Sequence, residues 1–332
     1  MQKTLWIIKP LIVFLLFWGI VQPVFSNKLT QEEVCFLPAT ELLRLFRAQE
    51  ISPVDVLKVQ IARIEALNPS INAITIKHYK EALVQAKESE KRYQQDNPRP
   101  LEGLTCAIKD DVDVKGWRST MGSLIFKDAK PSKYDSGLTN FLRNAGVIMH
   151  IQTNVPEFYC NLVTWNRLFG TTRNPWNIIY SPGGSSGGSS AVLAAGFTTL
   201  ATGSDMGGSI RVPAALTGLY GFKPPFGRVP SSLIQYESSG PLARTFEDIN
   251  LFQNAISGPS PAAIPTLRPR LEYPKQYENI KGWRIAYDPM KRWGLPLDIT
   301  VEKAMKAAVE KLRSLGAIVE EVEGIKLLLC LH

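Results

Sequence analysis

Two runs of glycine and serine hold the residues whose types and spacing suit chemistry: GGSSGG at Gly183 to Gly188 and GGS at Gly207 to Ser209. Glycines let the backbone take positive φ and let another group approach the main chain closely. Successive N–H groups in such turns form a concavity for an anion, and a helix start adds its dipole. That cradle suits a phosphate, or an oxyanion that exists only in a transition state. A Walker-type phosphate loop needs Gly-Lys-Ser/Thr, whereas the first cluster runs on into Ser189 and Ser190 without a lysine. A flexible linker would not be followed at once by Ala191 to Ala195, a short small-residue helix, and by Phe197 to Thr202, a buried strand.

Both clusters lie in SPGGSSGGSSAVLAAGFTTLATGSDMGGSIRVPAALTGLYGFKP, Ser181 to Pro224, and this stretch resembles the amidase signature family. The likeness extends to GLTCAIKDDVDVKG at Gly103 to Gly116, to LLRLFRAQEISPVDVLKVQIARIEALNPSINAI from Leu42, to TNVPEF at Thr153 to Phe158 and to SGPLARTFEDI at Ser239 to Ile249. It covers about Leu42 to Val322, and fatty-acid amide hydrolases and bacterial amidases are the members it is similar to. The resemblance implies a Ser-Ser-Lys triad, with Ser209 as nucleophile, Ser185 as bridging serine and Lys109 as base. It also implies a cis peptide at Gly184–Ser185 and an oxyanion site made by the N–H groups of Met206, Gly207, Gly208 and Ser209. Ser186, Asp205 and Arg211 are expected to brace the site rather than react.

The residue types fit that chemistry. A serine hydroxyl is a weak nucleophile unless a base takes its proton. Lysine is such a base only when uncharged, a state favoured by burial or nearby positive charge. The apolar Cys106-Ala107-Ile108 run before Lys109 fits burial, while Asp110 and Asp111 act the other way if they point inward. Gly183 to Gly187 also satisfies G-x-S-x-G, the nucleophile elbow of α/β-hydrolases, which needs serine, acid and histidine in that order. Of His78, His150 and His332 only the last follows the serines, a poor place for an oriented base. The histidines lack ligand spacing, so no metal is expected, and no organic cofactor is implied.

The elements that must position these groups alternate along the chain. Ser52-Pro53-Val54-Asp55 starts a helix with serine as cap and proline at the first position, and Asn68-Pro69 is expected to end it. Ile71 to Ile76 reads as a strand, Tyr79 to Gln94 as a polar helix, Leu104 to Ile108 as the strand that delivers Lys109. A helix at Asp135 to Asn144 leads to a strand at Val147 to Ile151. Beyond the serines come helices at Phe246 to Ile256 and Val301 to Leu315, and strands at Trp283 to Tyr287 and Ala317 to Val322. The expected class is α/β, with a mixed, mostly parallel central sheet covered by helices on both faces.

At 332 residues and 45% hydrophobic content the chain can bury a large core. Its formal charge of +8 comes from lysines and arginines dispersed among acids, without interleaved aromatics, so nucleic acid is not an expected partner. Cys35, Cys106, Cys160 and Cys330 are too scattered for a disulfide framework, and Cys106 is expected to be a buried free thiol. Residues 1–26 carry Lys3 and Lys9 ahead of an apolar run from Leu11 to Val21 and are read as a signal peptide or membrane anchor, which implies an exported (secreted or periplasmic) or membrane-anchored protein. Any membrane association would run through them. Residues 27–332 are then an amidase domain. The family pattern runs on beyond Val322, so the domain is expected to be incomplete at its C-terminus. Three functions follow as expectations: a serine amidase acting on a small-molecule amide, an inactive or partner-dependent shortened homologue, and a glutamine amidotransferase A-type subunit.

Overall fold

The computed structural model describes residues 29–230, 235–289 and 297–322. The segment 1–26, Cys330 and His332 lie outside the described residues. In chain order the elements are α1 Gln31–Phe36, α2 Ala39–Arg47, α3 Pro53–Ile71, β1 Ile74–Lys77, α4 Tyr79–Gln94, β2 Thr105–Lys109, α5 Gly137–Ala145, β3 Ile148–Thr153, β4 Trp165–Asn166, β5 Gly170–Thr171, α6 Gly187–Ala194, β6 Leu200–Asp205, α7 Arg211–Thr217, β7 Tyr220–Gly221, β8 Ser238–Ala243, α8 Phe246–Ile256, β9 Arg284–Tyr287, α9 Ile299–Ser314 and β10 Ile318–Glu321.

Local signals account for many of the boundaries. Ser52 accepts from the Asp55 amide and Pro53 opens α3, as the sequence predicts. The predicted stop at Asn68-Pro69 does not occur, because a proline this close to the end removes only one late intrahelical bond, and α3 runs on to Ile71 before Asn72 closes it in the left-handed region. Ser136 caps α5 at one end and Gly146, at φ 90°, at the other. Helix α2 begins after Pro38 with no side-chain cap of its own. The buried Asp248 carboxylate of α8 serves instead, accepting from Ala39 N at 2.9 Å and Thr40 N at 3.1 Å.

The main sheet has the order β1-β3-β2-β6-β8-β7. Strand β2 is parallel to both β3 and β6, while the pairings β1 with β3, β6 with β8, and β7 with β8 are antiparallel. The expected mixed sheet is thus parallel in its core and antiparallel toward its edges. Alternate residues of β2 enter two different cores. Cys106 and Ile108 pack with Leu42 and Phe46 of α2, Leu142 of α5 and Phe252 of α8. Ala107 packs on the other face with Ile64 of α3 and Val192 and Leu193 of α6. Lys109 shares the parity of Ala107, so it leaves the sheet on the face that α6 covers. Burying both faces favours a continuous apolar run, here Cys106-Ala107-Ile108, which is why this segment reads as a strand.

Strands β9 and β10 form a separate parallel pair, and Val309 of α9 joins Ala317 and Val319 in a small core beside them. Among the described residues no helix is long and apolar enough to cross a membrane. Cys35 and Cys106 are buried free thiols and Cys160 an exposed one.

His150, in the centre of β3, is fully buried and neither ring nitrogen has a partner among the described residues. Burial pushes its imidazole down to about 3. A histidine held neutral in the fold but free to charge when unfolded stabilises the protein above pH ~6.5, and that contribution is lost as pH falls from there toward 3. His150→Leu should therefore unfold at an equal or higher urea concentration at pH 8 and lose less stability than the parent chain between pH 7 and pH 5. Parallel acid-side loss in the two proteins would contradict this reading.

Candidate active site

Lys109 is the last residue of β2 and is fully buried. Its amide donates to Thr202 Oγ1 of β6 at 2.9 Å, which fixes the strand end from which the side chain departs. Its Nζ is hydrogen-bonded to Ser185 Oγ at 2.9 Å and to Ser204 Oγ at 2.7 Å, and lies 3.2 Å from Asp111 Oδ2. Ser204 in turn donates to that same Asp111 oxygen. The two aspartates that follow the lysine therefore part company. Asp111 faces the amine, whereas the Asp110 carboxyl turns to the Thr120 amide and hydroxyl and to Gln152 Nε2, and burial pushes it up to about 6. The ring of Tyr159 closes the site, its centroid 5.4 Å from Lys109 Nζ, and burial together with the nearby Asp111 and Asp110 charges raises its phenol.

The first glycine-serine cluster delivers Ser185. The Gly184–Ser185 peptide is cis. Helix α6 begins at Gly187, inside the cluster rather than at Ala191, because the glycines let other backbone come close. A Cβ on Gly188 would collide with the main-chain nitrogen and oxygen of Asn154, just past β3, and the Gly188 amide donates to that oxygen at 3.2 Å. A Cβ on Gly187 would strike Thr164 Oγ1, and one on Gly184 would meet the Asn161 carbonyl at 2.8 Å. Ser189 and Thr153 join their hydroxyls at 2.8 Å on the same face. The hydroxyl of Ser186, expected to brace the site, makes two long contacts of 3.4 Å with the Ser204 main chain and no other among the described residues.

The second cluster follows β6. Ser209 is half-buried, and among the described residues its hydroxyl makes no hydrogen bond. Its carbonyl accepts from the Ser186 amide at 3.1 Å, which sets position 209 against the residue after Ser185. The structure thus joins Lys109 to Ser185 directly and ties Ser209 to them through the main chain. Asp205 organises this turn. It accepts from the amides of Gly208 at 2.8 Å, Ile210 at 3.1 Å and Arg211 at 3.2 Å, and from the Arg211 guanidinium at 2.9 Å through both oxygens. Burial alone would raise this carboxyl, but the guanidinium and the three amides outweigh it and hold it down at about 2. Of the four expected oxyanion donors, Gly208 has to be withdrawn, since its N–H is engaged by Asp205. The amides of Met206, Gly207 and Ser209 have no protein partner among the described residues.

Sequence reasoning did not single out Ser204 or Tyr159. Ser204 follows Thr202 at strand spacing on β6, so two hydroxyls meet β2 on one side, but its contact with Lys109 spans 95 positions and leaves no local trace. Among the described residues no cluster of three or more histidine, cysteine or acidic side chains could hold a metal ion.

The amidase family model matches residues 55–332. The chain belongs to the amidase family. It is 40% identical over 300 residues to a glutamyl-tRNA(Gln) amidotransferase subunit of Carboxydothermus hydrogenoformans, an alignment covering 87% of this chain and 61% of that protein. The corresponding subunit of Methylobacillus flagellatus is 36% identical, with 85% and 59% covered. Among solved amidase structures, a bacterial aryl acylamidase of the amidase signature family superposes with a TM-score of 0.80 at 33% identity, covering 87% of this chain and 61% of that one. A fatty acid amide hydrolase gives 0.79 at 26% identity, with 90% and 55% covered. The chain spans about three fifths of the length of the curated relatives it matches.

The Asp205 turn yields a test. Asp205→Asn removes the charge that collects Arg211 and three amides, and should cost about 2 kcal/mol in urea unfolding at neutral pH. Because the folded carboxyl sits near 2 and an unfolded one near 3.8, that contribution is complete above about pH 3.8 and disappears as pH falls toward 2. The two proteins should therefore converge in stability at acid pH.

Proposed function

We propose that this chain cleaves carboxylic amides to acid and amine through Ser209, Ser185 and Lys109. The observation that carries this reading is the hydrogen bond between a fully buried lysine amine and the hydroxyl of Ser185, with Ser209 tied to the next residue by its carbonyl. As the Ser209 oxygen bonds to the amide carbon, its proton passes to Ser185, and the Ser185 proton passes to Lys109 Nζ. The oxyanion lies against the N–H groups of Met206, Gly207 and Ser209. When the C–N bond breaks, the proton returns from Lys109 through Ser185 to the leaving nitrogen. Water then attacks the acyl-Ser209 ester and passes its proton through Ser185 to Lys109; the ester C–O bond breaks, that proton returns through Ser185 to the Ser209 oxygen, and the acid is freed.

The surroundings support an apolar substituent on the substrate. The turn at 161–163 lies against Gly184, and its Leu162 and Val163 are exposed, as are Phe158 and Met206. These surfaces suit aryl or alkyl amides better than a charged amino acid. A second reading rests on the sequence relatives: the chain would take an amide nitrogen for transfer, as one member of a glutamyl-tRNA(Gln) amidotransferase working with partner proteins.

A panel of p-nitroanilides, long-chain amides and glutamine separates the two. The first reading predicts turnover of apolar amides by the chain alone, reduced by roughly a thousandfold or more in both Lys109→Ala and Ser209→Ala. Glutamine hydrolysis appearing only with added partner proteins would favour the second. Amide turnover unchanged in the two variants, or none with any substrate or partner, would overturn both.

A further inference from the structure

We infer that Asp111 and Ser204 are positioning residues that aim the Lys109 nitrogen at Ser185, an inference that rests on the triad reading above. An ammonium has three donors, whereas an amine has two and a lone pair. Lys109 Nζ has three polar neighbours: Ser185 Oγ at 2.9 Å, Ser204 Oγ at 2.7 Å and Asp111 Oδ2 at 3.2 Å. An ionised carboxylate only accepts. Ser204 gives its own proton to Asp111, so toward the lysine it too can only accept. Two N–H bonds of the uncharged amine are therefore claimed by Ser204 and Asp111, and the lone pair is left pointing at Ser185. This is the one orientation in which Ser185 can hand over its proton.

The same arrangement prepares for the proton once it arrives. The ammonium then donates to all three neighbours, with the Asp111 charge beside it. Asp111 is 9% exposed at its side chain, and its other oxygen, Oδ1, is buried without a partner among the described residues. A buried carboxylate left half unpaired is a poor device for stability alone. The other titratable groups around the amine lie farther off or turn away: the Tyr159 ring at 5.4 Å, the Asp110 carboxyl facing Thr120 and Gln152, and Glu237, whose charge acts on the Tyr159 phenol. Among the described residues Asp111 is thus the carboxylate that faces the amine.

The test is the pH dependence of kcat and kcat/KM for the full chain on an apolar amide, in the parent, Asp111→Asn, Ser204→Ala, Ser204→Thr and Lys109→Ala, with thermal melts for each. Asp111→Asn should move the acid limb of kcat/KM to lower pH by about one unit or more, since the amine loses its anionic neighbour. Its kcat at the plateau should fall about tenfold or more, with KM within about twofold, because the lost aim acts on the proton transfer and not on binding. Ser204→Ala should lower kcat similarly with a smaller displacement of the limb, and Ser204→Thr, which restores the hydroxyl, should recover most of it. Folded Asp111→Asn and Ser204→Ala enzymes with the parent kcat and limb would overturn the inference, as would a Ser204→Thr enzyme no better than Ser204→Ala. If those variants match the parent while Lys109→Ala is inactive, only the positioning roles fall. If Lys109→Ala is itself active, the triad falls with them.

Discussion

A lysine amine with no exposure to water must find its hydrogen-bond partners inside the protein, and the site is the solution to that requirement. An unsatisfied buried cation costs several kcal/mol, so wherever Lys109 lies its neighbours must supply acceptors. Two of them come from segments distant in sequence, Ser185 from the glycine-serine turn and Ser204 from β6, and the third, Asp111, from the turn just after β2. The parallel β2–β6 pairing holds two of those segments in register. Lys109 occupies the end of its strand, where the side chain clears the sheet but its amide is still held by Thr202.

The third segment is held by close packing rather than by a ladder. Glycines at 184, 187 and 188 each face an atom that a Cβ could not approach, and in two of the three cases that atom is main chain. The turn that carries Ser185 is therefore pressed between the end of β3 and the 161–164 loop, and α6 begins at once behind it. On the opposite side Asp205 gathers the amides of Gly208, Ile210 and Arg211 into one bend, leaving the flanking amides of Gly207 and Ser209 without protein partners among the described residues. Both glycine-serine clusters thus serve one purpose by different means: a rigid main chain that brings a serine to a defined place.

Much of this was legible in the residues because the site is built from short motifs with local meaning. The strand that leads to Lys109, the small-residue helix behind the first cluster and the cap at Ser52 all follow from patterns a few residues long, although that helix starts earlier, at Gly187. What escaped was set by contacts across the fold. Ser238–Ala243 did not read as a strand because Gly240 and Pro241 interrupt it, yet a Cβ at 240 would strike the Phe222 carbonyl, and Pro241 needs only its own carbonyl to accept from Phe222 N. The engagement of the Gly208 amide, the inward turn of Asp111 and the part played by Ser204 depend on side-chain directions that spacing alone does not determine.

In the proposed mechanism Lys109, acting through Ser185, makes Ser209 the reactive hydroxyl of the chain. Mass-spectrometric mapping of the serine modified by an acyl-trapping fluorophosphonate addresses it without requiring knowledge of the substrate. Modification is expected at Ser209 in the parent protein and should be lost in Lys109→Ala. Modification at a different serine, or at Ser209 with equal speed in Lys109→Ala, would contradict it.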